Sequence, residues 1–238
     1  MSDTPGNLHP CERCPFYQSS IWQPIDQRDG MAHLTRGFSR RDLAAGEILF
    51  EQDRDNTGVF CVSKGLIALR SHQADGSSTL LRLAYPGEIV GFRSFLGNGV
   101  HQTEARALLP SRVCTVGRMS AGRLLRDHPG ILERLLGRSL AEIDRSHQRI
   151  IAASSQTNKD RLTALLIWLL ERHGSREGKQ MRMRLPMSRA DLADLIGVQR
   201  ETLSRIVRRV EDDGIFRFEG RMVYMSPPYP KAVAGTAC

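Results

Sequence analysis

No uninterrupted apolar stretch in the 238 residues approaches the roughly 20 that a membrane-spanning helix requires, and Met1 to Asn7 lack the basic-then-apolar order of a secretory leader. These absences predict a cytoplasmic protein with no membrane partner. Cysteine is scarce: five residues, an odd number, spread widely apart from Cys11 and Cys14, make a poor disulfide framework for a chain of this length. Catalytic signatures are missing as well. The sequence carries no nucleophile with a partnered base, no metal-hydrolase motif and no phosphate loop, and its seven histidines are scattered, so an enzyme is the least favoured class. Acidic residues are outnumbered, 26 against 34 basic, which leaves a formal net charge of +8 and a pI near 9.7. Such a field favours nucleic acid or an anionic membrane surface over acidic protein partners.

What is present is ordinary for a globular protein, 40% hydrophobic and 25% charged, and the length suits two domains of roughly 100 residues each. Residues 1 to about 10, polar and rich in Pro and Gly, predict a flexible lead. From Leu43 to Val116 short runs have strand character: Glu47 to Glu51, Val59 to Ser63, Leu66 to His72, Thr79 to Ala84 and Arg112 to Val116. Turn residues such as Lys64-Gly65, Asp75-Gly76 and Pro86-Gly87 separate them, a rhythm that indicates a sandwich or roll. After Ser120 the pattern turns helical. Leu132, Leu136, Leu140, Ile143, Ile150 and Ile151 form an apolar stripe, which either packs on its own domain or pairs with a second copy as a coiled coil. A further helix, Lys159 to His173, opens a second domain; Gly174 to Gly178 reads as a loop and Met181 to Leu185 as a short strand.

Near the C-terminus Ser188 can cap a helix that contains Asp191, Leu192, Leu195 and Ile196, and Gly197 can end it in a left-handed conformation. A second helix, Gln199 to about Asp213, follows at once. Two short helices joined by a Gly-containing turn are the helix-turn-helix arrangement, although other αα-hairpins share the spacing. If Leu203, Ile206, Val207 and Val210 face the core, Arg200, Glu201, Ser204, Arg205, Arg208 and Arg209 point outward. Arginine can grip O6 and N7 of guanine with both arms, and glutamate can accept from the amino group of cytosine. Ile215 to Phe218 and Met222 to Met225, across Glu219-Gly220-Arg221, predict a hairpin wing.

The segment Met187-Ser-Arg-Ala-Asp-Leu-Ala-Asp-Leu-Ile-Gly-Val-Gln-Arg-Glu-Thr-Leu-Ser-Arg205 closely resembles the signature of the CRP/FNR superfamily. Similarity extends over Leu43 to Ile151, including Phe60-Cys-Val-Ser-Lys-Gly-Leu-Ile and Tyr85-Pro-Gly-Glu-Ile-Val-Gly. The resemblance implies an α+β chain: a Cys-containing N-terminal segment over 1–20, a cyclic-nucleotide-binding-like β-roll over 21–127, a dimerisation helix over 128–157 and a winged helix-turn-helix over 158–238. It further implies a homodimer on double-stranded DNA, with RNA polymerase as downstream partner. Glu201, Ser204 and Arg205 match the pattern of the FNR and FixK branches, which implies a palindrome of TTGAT-like half-sites. Arg200 departs from that pattern, and fits either a further guanine or a phosphate. A sensor or interaction module without DNA binding is the competing class.

Members that bind cyclic AMP hold its phosphate with a Gly-Glu pair and an Arg-Ser pair; Gly91-Phe92 and Gln102-Thr103 stand at those places here, so no cyclic AMP is expected. FNR-type proteins carry an oxygen-labile 4Fe-4S cluster on N-terminal cysteines and one near the end of the roll. Cys11-x-x-Cys14 resembles part of that group and Cys114 the distal ligand, while Ser19 and Ser20 occur where a third local cysteine would follow. Cys61 is the candidate fourth ligand, though its run Val59-Phe60-Cys61-Val62 also suits a small buried hydrophobe. His9 is a weaker candidate ligand, and Cys238 is given no role. The Cys11 and Cys14 pair reads alternatively as a low-pKa disulfide switch or a zinc site, and the chain as a cofactor-free FixK-like regulator or one with another small-molecule effector in the roll.

Overall fold

The structure, a computed structural model, describes residues 9–11, 13–23, 25 and 29–227. The part of the expected flexible lead before residue 9, and Cys238, lie outside the described residues. Two compact units emerge: Met1–Ser78 with Leu83–Leu140, and Thr79–Arg82 with Ala141–Cys238.

Helix α1 (Asp29–Gly37) of the first unit leads into strands β1 (Phe38–Leu43), β2 (Ile48–Phe50), β3 (Gly58–His72), β4 (Ser78–Ala84, of which Thr79–Arg82 group with the second unit) and β5 (Ile89–Val90). Helix α2 (Phe92–Leu96), strand β6 (Glu104–Gly117) and helix α3 (Arg118–Asp127) complete it, with the first part of α4 (Pro129–Ser155). The sheet runs β1-β6-β3-β4, with β2 added on β6 and β5 on β3. Alternation of apolar residues along β3 and β6 buries Val62, Ile67, Leu69, Ala105 and Val113 on one side. The other side meets Trp22, Leu34, Leu124, Ile131 and Leu135. Each such side chain contributes about 1.5–3 kcal/mol by leaving water.

Two expectations are corrected. The runs Val59 to Ser63 and Leu66 to His72 belong to one strand, β3, because Lys64-Gly65 forms an irregularity in the β3–β6 register rather than a turn. Gly65 is left-handed (φ +91), and a Cβ there would lie 2.6 Å from the Pro110 carbonyl oxygen, so glycine is required. The N-terminal segment is also not loose where it is described. Cys14 N–H donates to Cys11 O (3.0 Å), Tyr17 N–H to Cys14 O (3.0 Å) and Ser20 N–H to Tyr17 O (2.9 Å), and Ile21 and Trp22 are buried.

Helix α4 opens on Pro129, whose missing N–H costs nothing at a helix start. It buries Ile131 and Leu135, whereas Leu136, Leu140, Ile143 and Ile150 are 50–67% exposed. The stripe is therefore not core of its own domain.

In the second unit α5 (Asn158–His173) is capped by the Thr157 hydroxyl, which accepts from Asp160 N–H. Strands β7 (Ser175–Glu177), β8 (Gln180–Arg184), β9 (Phe216–Glu219) and β10 (Met222–Met225) form a sheet in the order β7-β8-β10-β9. The expected loop Gly174 to Gly178 thus contains a strand: its exposed polar residues leave no apolar alternation to read. Helices α6 (Arg189–Ile196) and α7 (Arg200–Asp212) pack on α5. Among the described residues no helix is long and apolar enough to cross a membrane.

Candidate nucleic-acid interface and thiol pocket

The turn between α6 and α7 sets the pose of everything beyond it. Ser188 caps α6 by accepting from Asp191 N–H (3.2 Å), and Asp191 returns the bond by accepting from Ser188 N–H (2.8 Å), a reciprocal capping box. Gly197, left-handed at φ 68, ends the helix, and Val198 N–H donates to Ala193 O (3.0 Å). Leu203, Ile206, Val207 and Val210 are buried, so the opposite face of α7 is presented outward. Arg200, Glu201, Ser204, Arg205, Arg208 and Arg209 all lie exposed there, as the spacing predicts.

The chemistry of this face is open. Among the described residues nothing engages the side chains of Arg200, Glu201, Arg205, Arg208 or Arg209; the Ser204 hydroxyl donates back to Arg200 O (3.3 Å) and keeps its acceptor capacity. The arginines of the sheet differ. Arg182 pairs with Glu177 (2.7 Å), Arg217 pairs with Glu219 and lies over the Tyr224 ring (4.5 Å), and Arg221 donates to Leu185 O (2.9 Å). These brace the wing, a division of labour that single residue types in a sequence do not reveal.

The cysteines converge as well. Arg40 on β1 pairs with Cys114 on β6, Cys114 with Cys61 on β3, and Cys61 with Ile89 on β5. Residues directly opposite in a sheet share a face, so these four form one cross-strand row. The row lines a cavity of about 580 Å³ together with Cys11, Cys14 and Trp22. Over it the turn from Cys11 to Cys14 is fastened by Cys11 N–H donating to His9 Nδ1 (3.2 Å), while the buried His9 ring stands edge-on to Phe38 (4.6 Å). The indole N–H of Trp22 donates to Cys61 Sγ (3.3 Å). Cys61 packs against the core cluster of Ile21, Trp22 and Val59 and also lines the cavity of the other three. The bond from Trp22 is the partner that sequence reading misses, because it joins positions 39 residues apart.

Burial, then repulsion from the neighbouring thiolates, pushes the Cys11 thiol up to about 12. Burial does the same to Cys61, also to about 12, against the Trp22 hydrogen bond and the charge of Arg138. Burial thus favours the protonated thiol at Cys11. Among the described residues no three Cys, His, Asp or Glu are gathered closely enough to hold a single metal ion. A four-iron cube spaces its thiolates around a larger body, and four cysteines about one roomy cavity fit that demand better than a mononuclear zinc site. The cations Arg40, Arg112 and Arg138 all act electrostatically on these thiols and can offset the negative charge of four thiolates. At the place of the cyclic-nucleotide Gly-Glu pair, Gly91 is left-handed and Phe92 is buried in the core.

Comparison with known proteins places both regions. Residues 160–227 match a Crp-like helix-turn-helix domain and residues 40–128 a cyclic nucleotide-binding domain. The chain is 26% identical over 231 residues to the nitrogen fixation regulation protein FixK of Bradyrhizobium diazoefficiens, covering 96% of this chain and 95% of that protein. It is 29% identical over 183 residues to the transcriptional activator protein FnrA of Stutzerimonas stutzeri, covering 77% and 75%. Among solved structures, FixK2 from Bradyrhizobium japonicum superposes with a TM-score of 0.65 at 23% identity, covering 79% of this chain and 92% of that one.

Proposed function

Because the chain belongs to the CRP/FNR superfamily of DNA-binding transcriptional regulators and is not an enzyme, we propose that it binds a palindrome of TTGAT-like half-sites as a homodimer and answers to oxygen or redox state. The observation that carries the DNA reading is the outward face of α7, where Arg200, Glu201 and Arg205 have no side-chain partner among the described residues and Ser204 keeps its acceptor capacity, opposite an apolar, packed face. Arg205 offers two donors to guanine, Glu201 an acceptor to a cytosine amino group, and Arg200 reaches either a further guanine or a phosphate. RNA polymerase is the downstream partner in this reading, and the roll holds no cyclic AMP.

Two reading helices must lie about 34 Å apart to enter successive major grooves. A second copy packed along Leu136, Leu140, Ile143 and Ile150 supplies such a pair, since these positions follow one another by four, three and seven residues, the spacing of a coiled-coil seam. For the signal, Cys11, Cys14, Cys61 and Cys114 would hold a 4Fe-4S cluster. When bound, such a cluster supplies an oxygen-labile redox centre. The chain's own part is to bring two thiols from a turn and two from facing strands to one cavity, and to surround them with cations.

The test is fluorescence anisotropy with a TTGAT-type palindrome and a scrambled duplex at several salt concentrations, on protein prepared without oxygen. A specific site preferred by at least about 10³-fold supports the reading. Equal affinity for both duplexes refutes it.

A further inference from the structure

Around α4, three directions have different neighbours. Ile131 and Leu135 enter the core, and the exposed stripe of Leu132, Leu136 and Leu140 occupies another face. On a third, Arg134 and Arg138 stand one turn apart and reach the segment that follows the CxxC turn. Arg134 Nη1 donates to Gln18 O (3.2 Å) and Ser20 O (3.0 Å), and its Nη2 to Gln23 Oε1 (2.7 Å). Arg138 Nη2 donates to Ser19 O (2.7 Å). At 100° per residue these arginines lie roughly opposite Leu136 and Leu140 on the helix barrel.

Four charge-assisted hydrogen bonds are many for so short a segment, and three go to backbone carbonyls, which any sequence of the segment would offer. The same segment carries Trp22, whose indole N–H reaches Cys61 Sγ, and it begins at Cys14. One continuous chain of contacts therefore runs from the thiol pocket through Trp22 and residues 18–23 into the helix that bears the apolar stripe.

We propose that Arg134 and Arg138 are positioning residues that couple the state of the thiol pocket to the dimer face of α4. With the four sulfurs ligated, Cys14 is fixed against β3 and β6, and the segment holds both guanidinium groups in place. With the sulfurs free, the Cys11–Cys14 turn keeps its hydrogen bonds and the packing of Cys11 and His9 but loses its tie to β3 and β6 through the sulfurs, and displacement of residues 18–23 pulls on α4 through the same arginines. A helix is stiff along its barrel, so a shift on one face alters how the opposite face meets a second copy. This rests on the cluster reading above, and the experiment separates the two.

The full chain and its Arg134→Gln/Arg138→Gln variant are prepared without oxygen, assayed for iron and sulfide, and compared by hydrogen exchange and by sedimentation before and after removal of the cluster. The variant keeps all four cysteines and should take up as much iron as the native chain. Exchange over residues 18–23 should quicken by about tenfold or more, and the native chain's difference in dimer dissociation constant between the two states, about tenfold or more, should shrink to below about twofold. Equal exchange and an equal difference in both proteins overturn the coupling. If the native chain takes up no iron, the cluster reading falls; the coupling is then read by alkylating Cys14, where the segment begins, with N-ethylmaleimide, the modified site verified by mass spectrometry. Dimer weakening in the native chain but not in the variant supports it, and an identical response overturns it. Should the glutamine variant fail to fold, Arg134→Lys/Arg138→Lys keeps both charges while losing the fork, and is expected to show the same uncoupling.

Discussion

The carboxylate of Asp191 accepts from both the backbone N–H and the hydroxyl of Ser188, at 2.8 Å each, with only 4% of the residue exposed. Removing it breaks the reciprocal cap and leaves the part-buried Ser188 N–H without its acceptor, so Asp191→Ala should cost about 1–2 kcal/mol of stability in thermal or urea unfolding. Adding Ser188→Ala should cost little more, because the two side chains act as one unit. On the reading face the expectation is different in kind. Arg205→Ala should leave stability unchanged and cost about 1–3 kcal/mol per half-site on the specific duplex while sparing weak, salt-dependent binding; equal loss on random DNA removes its base-reading role. Glu104 gives a pH dependence. Arg106 donates to both of its carboxylate oxygens (2.7 and 2.8 Å), and this hydrogen-bonded pair, with its charge, holds the Glu104 pKa below its ordinary value. A depressed carboxylate stabilises the fold above its unfolded pKa, and that contribution is lost as pH falls through the folded value. Glu104→Gln should therefore lower stability most at the neutral end and little at the acid end, flattening the acid limb of the curve measured by urea midpoints between about pH 3 and 7.

At the scale of elements, what the sequence discloses depends on how much periodicity an element needs. Helices α4, α5, α6 and α7 bury one face each, and their apolar spacing makes them legible to within a few residues. Strand β1 was not legible: Ser39, Arg40, Arg41 and Asp42 are all exposed, so the strand is held by its ladder to β6 rather than by burial. Helix α2 is too short, five residues, to show a period. The seam of α4 yields a prediction of its own. His147 falls four residues after Ile143 and three before Ile150, so it occupies a core position between copies if the stripe is the interface. A polar residue there weakens association; His147→Leu should tighten the dimer by about tenfold or more in sedimentation, whereas Ile143→Glu should give monomers that no longer hold the palindrome. If neither change moves the dimer, the second copy docks elsewhere.

At the scale of the whole molecule, the DNA-reading head was legible because its parts lie within 26 residues of one another, Ser188 to Asp213, whereas the four cysteines were grouped only through the family resemblance. Cys61 and Cys114 become neighbours only through the register of β3 on β6, which no local pattern states, and Cys61 in its apolar run looked like filler. That ambiguity can be resolved by paired substitutions. If Cys61 serves only packing, Cys61→Ala should be tolerated with intact iron content, and Cys61→Ser, which places a hydroxyl in the same setting, should be the more harmful. If Cys61 is a ligand, the chemistry of the sulfur matters and its size does not. Both variants should then lose the brown colour and the roughly four irons per monomer that the cluster requires, together with Cys14→Ser and Cys114→Ser. Loss of the sulfur strands the Trp22 indole N–H in Cys61→Ala, a drop in stability of about 1 kcal/mol independent of iron, whereas the Cys61→Ser hydroxyl can still accept that bond. The decisive comparison is therefore iron against stability. Full iron in Cys61→Ala refutes the ligand, and iron lost equally from both variants at nearly native stability establishes it.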